Sequence, residues 1–131
     1  MIVLDTHVWY WFLSDHERLS PAFRKLIERE QAAQGVSVSI ISCWEIAQKV
    51  AGGKLKLTLP MAEWLSFALA DPHLIVQPLT PQIVLDAAVL PPPMPRDPAD
   101  RFIVATARAL DCPLLTEDSK LVDYRFVRKP A

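Results

Sequence analysis

Six side chains of this sequence have the character of acid–base or metal-binding groups: Asp5, Glu45, Asp97, Asp100, Thr116 and Asp118. Two of them sit three apart in "RDPADRF", just ahead of the apolar stretch "FIVATARAL". Asp97 precedes Pro98, which suits the first helical position, so Asp97 reads as a helix N-cap. Asp100 is followed at three, four and seven residues by Ile103, Val104 and Ala107, an apolar stripe. A carboxylate on that stripe points inward, where leaving it unpaired is costly. A helix N-terminus offsets that cost by only about 0.3–1 kcal/mol. A cation is the better partner for Asp100.

The elements around these residues alternate between strand and helix. "MIVL" is a short apolar strand ending at Asp5, and "THVWYWFLS" a short helix. "SPAFRKLIEREQAAQ" is a helix opened by Ser20 and Pro21. "VSVSI" alternates as a strand, and "SCWEIAQKVA" is a helix that stops at Gly52-Gly53. A helix from Pro60, a strand around Ile75 and Val76, and a helix in "TPQIVLDAAVL" follow. The strongly marked "DPADRFIVATARAL" helix then leads to a strand in "CPLLT", a helical turn in "EDSKLVDY" and a candidate edge strand in "RFV". This order, with near-continuous apolar strands, predicts an α/β fold: a parallel sheet covered on both faces. The proline cluster at 91–98 reads as a stiff loop, and neither an internal repeat nor a linker divides the chain.

Right-handed βαβ connections bring helix N-termini to the edge where parallel strands end, and ligands of such sheets bind there. Asp5 closes the first strand, and Glu45 lies in the first turn after the second. Asp100 opens its helix, and Thr116, Glu117 and Asp118 close the last strand. Four scattered acids, Asp5, Glu45, Asp100 and Asp118, therefore converge on one edge. Each also has a plain structural reading. Asp5 could cap the "THVWYWF" helix, and Asp118 could start the "SKLVDY" turn. Ser42 and Glu45 fit a capping box, with Lys49 as an ion-pair partner four residues on. Glu117 and Asp86 read as solvated helix acids. Trp9 and Phe12 fall at core spacing, and what remains exposed of that aromatic run suits a protein interface.

Carboxylates without a histidine or thiolate partner favour a hard cation, Mg²⁺ or Mn²⁺. Such an ion activates water and neutralises charge on a phosphodiester, so phosphodiester hydrolysis is the natural reaction class. His7, His16 and His73 share no ligand spacing, which argues against zinc. The sequence contains neither a Gly-rich phosphate loop nor a nucleophile elbow.

The composition agrees with this class without specifying it. At 131 residues the chain can bury a real core, and with 51% hydrophobic residues it is not disordered. A net charge of −1 neither announces nor excludes a nucleic-acid partner, because clustered acids mask basic residues elsewhere. No apolar run reaches the roughly 20 residues that span a bilayer. The N-terminal stretch lacks a basic region and carries Asp5 and His7, so a secretory signal is not expected. Cys43 and Cys112 sit in apolar company and read as reduced core residues of a cytoplasmic protein.

Four stretches, "IVLDTHVWYWF", "SVSIISCWEIAQK", "RDPADRFIVATA" and "PLLTEDSKL", in that order, resemble the PIN-domain family. Within it they look like the VapC-type toxins of bacterial toxin–antitoxin pairs, over nearly the whole chain. The resemblance implies one PIN-like domain over residues 1–131, three layers with a central, mostly parallel sheet flanked by helices. It implies a Mg²⁺-dependent endoribonuclease (Mn²⁺ being the substitute), an antitoxin whose peptide covers the acidic cleft, and a homodimer in the cytoplasm. By position, the family's acids fall on Asp5, Glu45, Asp100 and Asp118, with Thr116 as its polar residue beside the last acid. That outweighs the capping reading of Glu45. One departure is Pro95, where relatives with the "DTH" opening often carry histidine; any role of that side chain in substrate handling does not carry over to this chain. A receiver-like phosphoacceptor would want clustered acids after the first strand, whereas Asp5 stands alone. A catalytically inactive PIN-like module that binds RNA or protein is the remaining alternative, and the complete acid set opposes it.

Overall fold

β1 (Ile2–Leu4) is buried at every residue, and its alternation divides the core in two. Ile2 and Leu4 face one apolar cluster, while Val3 faces the other. The structure, a computed structural model, describes residues 1–130. The remaining elements are α1 (Thr6–Leu13), α2 (Pro21–Ala33), β2 (Val36–Ser39), α3 (Ile40–Ala51), α4 (Met61–Leu69), β3 (Leu74–Gln77), α5 (Pro81–Ala88), α6 (Pro98–Leu110), β4 (Leu114–Leu115) and α7 (Ser119–Val122). The strands form a wholly parallel sheet in the order β3-β2-β1-β4. Helices cover both faces, giving the expected three-layer α/β fold.

On one face, α1 to α4 bring Val8, Trp9, Ile27, Ile46 and Trp64 against Ile2, Leu4, Val36, Val38 and Leu115. On the other, Ile103, Val104 and Ala107 of α6 meet Val3 and Leu114, with Leu121 and Tyr124 closing the cluster. Ile103 is wholly buried, so truncating it to alanine would cost about 2–5 kcal/mol. The stripe that follows Asp100 in sequence is therefore the face by which α6 grips the sheet.

Local signals fix the helix starts. Ser20 Oγ accepts the Phe23 amide at 3.1 Å with Pro21 beginning α2, and Asp97 Oδ1 accepts the Asp100 amide at 3.2 Å with Pro98 beginning α6. Gly35, at φ +88°, turns the chain into β2 where a Cβ would lie 2.8 Å from the His73 carbonyl oxygen. Asp86 is not a merely solvated acid. Its carboxylate takes two hydrogen bonds from Arg108, at 2.8 and 3.3 Å, and so ties α5 to α6. Arg101 bonds the carbonyls of Pro95 and Ala87, at 2.9 and 3.0 Å, anchoring the proline loop ahead of the site.

Further sequence expectations require correction. Arg125–Val127 is not a strand; the segment turns, the Arg108 guanidinium bonds the Phe126 carbonyl at 2.7 Å, and the Leu114 amide bonds the carbonyl of Arg128 just beyond it at 2.8 Å. Tyr124 and Val127 are both buried, and inward residues three apart suit a turn rather than the two-residue period of a strand. The capping box at Ser42 and Glu45 is also absent. Ser39 caps α3 by accepting the Ile41 amide at 3.1 Å, which places Ser42 inside the helix. Of the cysteines, both are free; Cys43 is buried, but Cys112 is only half-buried.

Candidate active site

The parallel strands all end at the same edge, and the chain places acids where they end. Asp5 follows β1 as the N-cap of α1 and is 3% exposed. Its Oδ1 accepts the Thr6 amide at 2.8 Å, and its Oδ2 accepts the Thr116 hydroxyl at 2.7 Å. Thr116 in turn accepts the Asp118 amide at 3.0 Å. Asp118 caps α7 through the Lys120 amide, at 2.9 Å. The capping readings of Asp5 and Asp118 are thus correct as geometry, and both residues still face the common edge.

Glu45 is half-buried on α3 and is reached from α1. The Thr6 hydroxyl donates to Glu45 Oε1, so the Ser42 hydroxyl, 2.8 Å from Thr6 Oγ1, is left to donate to Thr6. Thr6 consequently ties the carboxylates of Asp5 and Glu45 to one residue. Its only signal in the sequence is a hydroxyl residue directly after Asp5, which is common at helix starts, and Ser42 reads there only as a cap. Glu45 makes no ion pair with Lys49, whose ammonium lies 3.1 Å from His7 Nε2 instead.

Asp100 differs from its neighbours. It is half-buried, and among the described residues its carboxylate accepts no hydrogen bond and meets no cation within salt-bridge distance. Burial raises its pKa to about 7, and the charges of Asp5, Asp97, Glu45 and Asp118 push in the same direction. Burial also raises Glu45, against the Thr6 hydrogen bond and Lys49, with Asp5 and Asp97 adding to the rise. Asp5 is raised by burial too, opposed by its bonds from Thr116 and Thr6 and by His7, and reinforced by Asp118. The acids therefore feel one another across the edge. Asp97, exposed and engaged as the cap of α6, contributes charge to the same cluster.

Such a cluster suits a hard divalent cation in kind: carboxylate and hydroxyl oxygens, with no thiolate among them. Among the described residues no three His, Cys, Asp or Glu side chains are arranged as a ready chelate. An ion would have to gather the carboxylates around it.

An α/β domain with acids collected at the carboxyl edge of a parallel sheet defines a class, and similarity to known proteins places the chain within it. The PIN-domain family model matches residues 2–127. Ribonuclease VapC22 of Mycobacterium tuberculosis is 36% identical over 127 residues, an alignment covering 97% of this chain and 94% of that protein. A crystal structure of VapBC2 from Rickettsia felis, bound to a DNA fragment from its promoter, includes a chain with the same fold. That match has a TM-score of 0.68 at 15% identity and covers 99% of this chain and 98% of that one. The chain belongs to the PIN-domain family.

Proposed function

We propose that this chain is a VapC-type toxin, an endoribonuclease that hydrolyses RNA phosphodiester bonds and is restrained by a cognate antitoxin. The observation that carries the reading is the unpartnered Asp100 carboxylate, held among Asp5, Glu45 and Asp118 at one sheet edge. Repulsion of that kind is destabilising in the folded state unless a cation joins it. Asp5, Glu45, Asp100 and Asp118 would hold Mg²⁺ or Mn²⁺, which when bound supplies charge neutralisation at the phosphodiester and an activated water. Thr116 and Thr6 orient the buried Asp5 carboxylate, and Thr6 also orients Glu45. The relatedness to a protein named a ribonuclease supports the reaction. The likeness in fold to a chain of a VapBC structure agrees with the antitoxin.

Among the described residues no helix is long and apolar enough to cross a membrane. The proposed homodimer would cover Leu85 on α5 and its C-cap Val89, which are 69% and 75% exposed.

The test is purified protein incubated with total RNA, with Mg²⁺ or with EDTA. Cleavage confined to the Mg²⁺ sample, and lost in Asp5→Asn, is expected. Cleavage that persists in EDTA, or that Asp5→Asn leaves intact, would overturn the reading. Expressed alone, the parent should arrest bacterial growth and the variant should not.

A further inference from the structure

Beside the acid edge lies a cavity of about 370 Å³ with a basic and aromatic wall. It meets the edge at Thr6, the residue bonded to both Asp5 and Glu45. His7, His16, Arg18, Lys49 and Lys54 line it, and no carboxylate does. In a chain whose net charge is −1, that is local segregation rather than general basicity. Arg18, Lys49 and Lys54 enter no salt bridge among the described residues. Lys49 and His7 instead stand 3.1 Å apart with no acid between them. The Lys49 ammonium donates one N–H to His7 Nε2 and keeps its other N–H groups for an anion.

Trp11 gives the cavity a planar side, beside the aliphatic Ile46 and Leu55. Around the half-buried Trp11 ring stand His7, at 5.9 Å and 47°, and His16, at 6.0 Å and 28°. The Arg18 guanidinium lies 5.7 Å from the ring centroid. Planar groups next to free cations are the means by which proteins hold single-stranded nucleic acid, the bases stacking and the phosphates pairing.

We propose that this cavity is a subsite for one nucleotide of single-stranded RNA flanking the bond to be cut. Arg18, Lys49 and Lys54 hold its phosphate, and its base packs against the Trp11 wall. The inference rests on the nuclease reading for the position of the scissile bond and deepens it. A polyanion that crosses an edge of four carboxylates needs positive charge on its flank, and Thr6 joins this flank to those acids. The larger cavity, about 600 Å³, touches the edge at Thr116 and carries Lys25, Arg29 and Lys129, but Phe23 is its single ring in a largely aliphatic lining, so it serves a base less well. Its Lys129 ammonium is already bonded to the Tyr124 and Val127 carbonyls, at 2.6 and 3.2 Å. An acidic peptide would satisfy the cations of the smaller cavity but gain nothing specific from the planar wall.

The test is fluorescence anisotropy of a short labelled single-stranded RNA with the full chain in EDTA, so that binding is read without cleavage. The double variant Lys49→Ala/Lys54→Ala should bind about tenfold more weakly. The slope of log K against log salt should become shallower by about 0.7 for each phosphate that no longer pairs with a cation. Trp11→Leu should also weaken binding about tenfold. Arg18→Ala, at an exposed position, gives the same reading without disturbing the core. Arg125→Ala, whose guanidinium lies over Phe126, is the charge control and should bind as the parent does. Parent-like affinity in both the double variant and Arg18→Ala would overturn the subsite, even where RNA cleavage with Mg²⁺ upholds the nuclease reading. A glutamate-rich peptide that binds the parent more tightly than RNA, and loses affinity in the same variants, would overturn RNA as the occupant.

Discussion

The Thr116 hydroxyl donates to the Asp5 carboxylate at 2.7 Å, joining residues 111 apart in sequence across the β1–β4 pair. Asp5 is 3% exposed, so this bond and the one from the Thr6 amide satisfy a carboxylate that water barely reaches. Removing the hydroxyl strands a buried acceptor, which costs about 1–3 kcal/mol. Thr116→Val should therefore lower thermal stability and reduce RNA cleavage about 10–100-fold, the usual effect of losing a partner that orients a metal ligand. Thr116→Ser should restore both. Full activity in Thr116→Val would remove Thr116 from the site.

Asp97 and Asp100 should separate cleanly. Asn caps a helix about as well as Asp, so Asp97→Asn should retain cleavage, with at most a modest loss from the missing charge. Asp100→Asn should abolish it. Cleavage assays on the two variants decide the matter, and the opposite pattern would reverse the roles assigned within "RDPADR".

The raised pKa of Asp100, about 7 against an ordinary 3.8, makes metal-free stability depend on pH. Between those values the folded state binds more protons than the unfolded one, so its stability falls as pH rises through this window. At pH 8 without metal, Asp100→Asn should therefore melt several degrees higher than the parent. Well below pH 3.8, where Asp100 is protonated in both states, that difference should vanish. Excess Mg²⁺ should raise the melting temperature of the parent by mass action and that of the variant much less. Melting curves with EDTA and with Mg²⁺ test this. A variant less stable than its metal-free parent at pH 8 would mean that the acids do not repel as described.

Leu85 on α5 and Val89 at its C-cap are among the most exposed large apolar side chains, at 69% and 75%. Leu85→Glu places a charge on an exposed position where a second copy would cover it. Light scattering should show a dimer for the parent and a monomer for the variant, with the melting temperature of the monomer unit little changed. A dimer that persists in the variant would move the interface elsewhere.

Much of this site was legible from residue types because the signals are local. Strand ends, helix caps and an apolar stripe are properties of neighbours in sequence, and topology rules carry strand ends to a common edge. Pro98 with Asp97 marked the start of α6, and Ile103, Val104 and Ala107 marked the face that turns Asp100 inward. What required the tertiary structure is what depends on distant segments meeting. Ser39 rather than Ser42 caps α3, because the Ser42 hydroxyl is used by Thr6, 36 residues away. Lys49 turns from Glu45 to His7 on another helix. Tyr124 and Val127 pack inward and keep "RFV" from pairing as a strand. The sequence by itself determined which acids the chain carries to the sheet edge. Only the folded packing decided which hydroxyls hold them and that Asp100 is left without a partner among the described residues, because those contacts join segments that no local pattern relates.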